Sequence, residues 1–205
     1  MMPANDLILI CPFCKGEKPI MQLMSGNTFG GSLRSDLKAD YPMLPKPSPI
    51  QRCPHCGKYY FAYSAENKES TEMTFDKGEL SYQEVTEALQ QLSQEQLSND
   101  EEITLRLLFV HNYNSTYQLL SENDQPTPTQ EEQTLFRQQI ERLLLIFELR
   151  DIEKAELHRE IGLFDECLRL LDSAEIEDPF RDDVARRILG LAMEKSTKVF
   201  MISNQ

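Results

Sequence analysis

An α+β chain is predicted: a small β-rich part followed by an all-α domain of about six antiparallel helices. Three observations lead there. Proline and glycine crowd the front, with eight of eleven prolines at or before Pro54 and five of eight glycines at or before Gly57. Helix interiors exclude the first and disfavour the second, so residues 1–65 read as turn and strand. Beyond residue 70, apolar residues recur every three or four positions, the period of a helix with one buried face. Finally, two C-P-x-C turns, at Cys11/Cys14 and Cys53/Cys56, both fall in the proline-rich part. The 205 residues suffice for one large or two small domains with a sizeable core. The expected division is 1–65, a linker at 66–80, and a helical domain at 81–205.

The front elements follow from their apolar runs. "LILI" (residues 7–10) precedes the first cysteine pair and "YYFAY" (59–63) follows the second, both β-prone. Between the pairs lie 38 residues, including the glycine-rich insert "SGNTFGGSLRSD" from Ser25 to Asp36 and the proline-rich arm "YPMLPKPSP" (41–49). The insert matches no phosphate-binding fingerprint, and its expected role is a structured loop returning the chain to the second pair. The arm is also a candidate docking surface for a peptide-like partner.

Two residues between thiolates let one tight turn aim both sulfurs at a single ion, and two such turns complete a tetrahedron. Gly57 suits the left-handed residue that finishes the second turn; Lys15 occupies that place in the first, with Gly16 one position later. The first 65 residues thus resemble the zinc-ribbon family. The resemblance implies that Cys11, Cys14, Cys53 and Cys56 are the ligands of a structural Zn²⁺ with no open coordination position. Iron, in a rubredoxin-like centre, is compatible with the same four thiolates. "LILICPFC" taken alone looks like the entry to a glutaredoxin, which would make the site a redox centre. Such a site needs a helix directly after the second cysteine, and Gly16, Pro19 and Gly26 argue against one. His55, between two candidate ligands, is expected to be a solvent-facing turn residue.

The helices announce themselves by caps and stripes. Ser81 with Glu84 forms a capping box ahead of Tyr82, Val85, Leu89 and Leu92. Ser98 or Asn99 caps the next, with three acidic residues in its first turn and Ile103, Leu107 and Val110 behind. Thr129 opens a third carrying Phe136, Ile140, Leu143 and Phe147 on one face. Three more are expected near 151–161, 164–175 and 180–196. The segment from Ala155 to Pro179 resembles a tetratricopeptide unit: Ala155 and Cys167 at small crossing positions, Gly162 at the turn, Phe164 opening the second helix, Pro179 ending the unit. The large aromatic such units carry at their start is missing, and His158 stands where an aromatic is usual. No second full copy is present.

Charge bounds the partners. Against a chain total of −13, residues 1–65 hold seven Lys/Arg and four Asp/Glu, net +3, leaving −16 for the rest. An acidic body repels phosphate backbones and favours a basic protein partner, so nucleic acid is disfavoured. A nucleic-acid-binding ribbon using Arg34, Lys38, Lys46, Arg52, Lys58 and Tyr59–Phe61 is the alternative. No membrane helix or leader is read, five cysteines argue against a disulfide scaffold, and the expected compartment is the cytoplasm. Cys167 is expected as a buried packing residue, as is His158. His111, beside Asn112, Tyr113, Asn114 and Tyr117, forms the most polar patch on any apolar helix, with helix-end capping or inter-helix hydrogen bonding as its expected use. No catalytic constellation is present. The whole resembles uncharacterised bacterial zinc-ribbon proteins with a repeat-like helical tail, a resemblance that implies no activity. The expectation is a zinc-binding, non-catalytic protein–protein interaction or scaffold protein. The sequence sets no oligomeric state.

Overall fold

The computed structural model describes residues 2–74, 76–121 and 124–204. The chain is α+β, as its sequence predicts: a front rich in short antiparallel strands, then six helices. It forms two compact units whose boundary does not follow chain order. One takes the residues up to Gly31 together with Asp40–Leu105; the other takes Ser32–Ala39 and Arg106–Asn204.

In the first unit, β1 (Met2–Ile10) runs between β2 (Glu17–Ser25) and β7 (Glu66–Glu69), antiparallel to both. A two-stranded ribbon, β5 (Ile50–Arg52) with β6 (Tyr59–Phe61), carries the second cysteine turn. Leu9, Cys11, Ile20, Cys53, Tyr60 and Ala65 form one buried cluster. The stretch 66–80, expected as a linker, is instead bound along this unit. β7 pairs with β1, Ser70 N–H donates to the Asp6 carbonyl at 2.9 Å, and Met21 and Ser48 donate to the carbonyls of Asp76 and Lys77 at 2.7 and 2.9 Å. Every residue of β7 is exposed, so it has no apolar alternation to betray it; ladder hydrogen bonds alone place it. Helix α1 (Tyr82–Leu92), with the expected Ser81/Glu84 capping box, packs on β6. There the Tyr59 hydroxyl donates to Glu87 at 2.8 Å and Gln91 brackets the Tyr59 backbone.

Helix α2 (Asn99–Tyr117) starts in the first unit and ends in the second. Ser98 is its cap, in a reciprocal box with Glu101. The second unit continues with α3 (Gln130–Ile146), capped by Thr129, then α4 (Asp151–Glu160), α5 (Phe164–Ser173) and α6 (Pro179–Met193). Gly162, at φ 76°, makes the left-handed turn between α4 and α5, a backbone state that other residues reach only at a cost. Ala155 and Cys167 are fully buried where these helices meet, in a cluster with Ile188, Leu191, Ala192 and Phe200. Pro179 is the first residue of α6, capped by Asp178, rather than a terminator.

The insert supplied the least expected piece. Its residues 32–39 belong to the helical unit, where β3 (Ser32–Arg34) pairs with the C-terminal β8 (Met201–Asn204) in a sheet ordered β4-β3-β8, β4 being Ala39–Asp40. Ser35 N–H donates to the Phe200 carbonyl at 2.9 Å and Phe200 N–H to the Ser35 hydroxyl at 3.1 Å. A returning loop of the ribbon was expected; a two-sided anchor in the other unit is found.

Candidate metal centre

The two cysteine turns have the same backbone plan. In the first, Cys11 N–H donates to the Gly16 carbonyl at 2.9 Å and Lys15 N–H to the Cys11 carbonyl at 3.0 Å; in the second, Cys53 N–H donates to Lys58 at 2.9 Å and Gly57 N–H to Cys53 at 3.0 Å. Each closes on a left-handed residue, Gly57 at φ 74° and Lys15 at φ 60°. Lys15 itself therefore adopts the state that glycine favours, and Gly16 serves a different need. A Cβ on Gly16 would lie 2.3 Å from the His55 ring. His55 stays exposed and its Nε2 sits 3.2 Å from the carbonyl of Glu17, the first residue of β2, so it ties the second turn to the strand that follows the first.

These turns bring all four sulfurs of Cys11, Cys14, Cys53 and Cys56 within 4.8 Å of one another. Two edges of the set are 3.8 Å (Cys11–Cys56) and 3.5 Å (Cys14–Cys53). A tetrahedron with metal–sulfur bonds of about 2.3 Å has edges of about 3.8 Å, so the set fits one such ion. None of the cysteines is in a disulfide. The first cysteine of each pair is buried in the strand cluster and the second is exposed. Amides aim at two of the sulfurs, Gly16 at Cys14 and His55 at Cys53, each at 3.4 Å. Across the tip, the Lys58 ammonium lies 4.6 Å from the centroid of Phe13.

Four thiols this close cannot all ionise without a cation among them. Burial resists the Cys53 thiolate, but the amides of Cys56 and His55 and the neighbouring sulfurs outweigh it and draw the thiol down to about 6. The Gly16 amide favours a thiolate at Cys14 too, yet desolvation and hydrogen bonds from the other three sulfurs prevail, pushing it up to about 12. The set thus favours the thiolate at Cys53 and disfavours it at Cys14; a divalent ion among the sulfurs would favour it at both. After Cys14 the chain enters strand β2, not the helix that a thioredoxin-like redox site requires.

The other singled-out residues fall elsewhere. Cys167 is buried and its thiol is raised to about 11, first by burial, which leaves it unreactive. His158 rests its Nδ1 2.7 Å from the Lys154 carbonyl. Arg34, Tyr59, Tyr60 and Phe61, expected on a nucleic-acid surface, are all buried. Arg34 is ion-paired with Asp36, its Nε donating at 3.0 Å. His111 does form tertiary hydrogen bonds, but to the insert rather than to another helix: its Nε2 lies 2.9 Å from the Asp36 carbonyl, so this nitrogen carries the proton. Asn114 Nδ2 then donates to Asp36 Oδ2 and to Glu160 Oε2, both at 2.9 Å. Sequence reading missed Glu160; the one signal was α4 itself, whose charged residues lie on both faces.

Among the described residues, no helix is long and apolar enough to cross a membrane. No described protein family, curated protein or solved structure is significantly similar to this chain.

Proposed function

We propose that the chain is a cytoplasmic, zinc-stabilised interaction protein without catalytic activity, in which Cys11, Cys14, Cys53 and Cys56 hold one structural Zn²⁺. The convergence of four sulfurs on matched turns, with edges of 3.5 and 3.8 Å, carries this reading. Four protein sulfurs leave a tetrahedral ion no position for water or substrate, which makes the metal a folding element. The partner is a protein, and the −16 carried by residues 66–205 favours a basic segment on it.

Elemental analysis of the untagged protein, with titration of its native thiols, tests the metal. One zinc per chain with four protected thiols is the expected result. One iron with visible colour would make the site an electron-transfer centre, and no metal with freely cycling thiols would make it a redox pair. For the partner, anisotropy of a labelled Lys/Arg-rich peptide should show binding that weakens steeply as salt rises. A labelled oligonucleotide should show none at low salt; if it binds there and the peptide does not, the nucleic-acid reading replaces this one.

A further inference from the structure

The helical unit contains a cleft of ≈ 430 Å³, lined among others by Tyr113, Tyr117, Gln118, Phe136, Arg137 and Glu160. A cleft of this size accommodates a small molecule. Part of its lining is aromatic: Tyr113 stacks on Phe136 at 4.0 Å between centroids and meets Tyr117 at 4.9 Å.

Three carboxylates are buried in this unit: Asp36, Glu156 and Glu160. Two have an arginine each. Arg34 grips Asp36, and Arg159 grips Glu156 through Nε and Nη2 at 2.7 and 2.6 Å. Glu160 has none. Its Oε2 accepts from Asn114, while its Oε1 has no hydrogen-bond partner among the described residues, although the residue is 1 % exposed and lines the cleft. Gln118, on the same cleft, also holds a buried acceptor oxygen without a partner. Unmade hydrogen bonds at buried acceptors are costly, and two on one cavity call for a ligand that donates to both.

We propose that this cleft binds a small molecule through a planar guanidinium or amidinium head, which donates to Glu160 Oε1 and Gln118 Oε1 beside the aromatic part of the lining. The head supplies Glu160 with the cation that Arg34 and Arg159 supply to the other two carboxylates. Planarity suits both the forked acceptors and the rings. Arg137 is half-exposed and already bound to the Ile161 carbonyl at 2.7 Å and to Glu141 at 3.8 Å. As the cleft's cation it disfavours a second positive group there, so the rest of the ligand is neutral or anionic.

Isothermal titration of the full chain with agmatine and with L-arginine tests this. L-arginine, whose carboxylate can meet Arg137 and offsets its α-ammonium, should bind saturably and more tightly than agmatine, whose second cation is uncompensated. Glu160→Gln and Gln118→Leu should each weaken L-arginine about ten- to hundredfold, the range for a buried charge-assisted hydrogen bond. The exposed control Glu175→Gln should leave it unchanged. If Glu160→Gln does not fold by circular dichroism, Gln118→Leu decides alone. Absence of saturable binding by the parent chain, or full-strength binding by folded variants, overturns the assignment. Metal content is read separately, so failure here leaves the zinc reading standing.

Discussion

Asp36 and Glu160 share the amide of Asn114 yet are pushed in opposite directions. Burial disfavours the Asp36 carboxylate, but Arg34, His111 and Asn114 outweigh it and hold the group below its ordinary 3.8. Its stabilising contribution is complete above that pH and lost as pH falls through the folded value. Burial also dominates at Glu160, reinforced by Glu156 and Asp36, and there Asn114 and Arg159 do not compensate, so this carboxyl is held well above 4.5. The ligand-free native state therefore keeps a proton that the unfolded chain releases, and that a guanidinium paired with Glu160 would displace to solvent; stability of the ligand-free chain falls as pH rises from about 4.5. Urea midpoints of the helical signal between about pH 4.5 and 7 should show that decline in the parent chain and a flatter profile in Glu160→Gln. Parallel profiles would mean that Glu160 does not hold its proton. Asp36→Ala strands Arg34 in the interior and should cost about 3–5 kcal/mol in the same assay, as for other broken buried pairs.

At the scale of the element, the two cysteine turns are alike in hydrogen bonding and unlike in how they tolerate substitution. Lys15 sits at φ 60°, which costs a side-chain-bearing residue about 1–2 kcal/mol, while glycine there brings an unfolded-state entropy cost of about 0.5–1 kcal/mol. Lys15→Gly should therefore gain about 0.5–1 kcal/mol, read as a higher melting temperature of the metal-loaded protein. Gly16→Ala meets the His55 ring and should cost about 1–3 kcal/mol, with weaker metal retention against a chelator. Equal tolerance at both positions would show that His55 does not hold the turns together. The clustering of the four sulfurs was legible from two C-P-x-C motifs, because a turn that aims two sulfurs is a local object. The exchange of roles between Lys15 and Gly16 was not, since the Gly16 constraint comes from a residue 39 positions away.

Across the whole molecule, the unit that carries the four cysteines is larger than the cysteine-rich segment. It includes the strap 66–80 and α1, and it excludes residues 32–39. Cys53→Ser should accordingly open 1–31 and 40–98 to limited proteolysis, cutting α1 as well, while 32–39 stays protected by β8. Mass spectrometry of the fragments reads this directly, and an uncut α1 would show that it folds without the ribbon. Local pattern alone specifies the class of the fold, the helix starts at Ser81, Ser98 and Thr129, and the four sulfur positions. Each of these rests on spacing within a few residues, where backbone sterics, capping and periodicity act without reference to the rest of the chain. It took tertiary contacts to carry the insert into the helical unit, to make polar β7 a strand, and to bury Glu160 on a cleft with no arginine paired to it. Those outcomes depend on partners far along the chain, Ser35 with Phe200 or Asn114 with Glu160, and no local pattern records which distant surface a segment will meet.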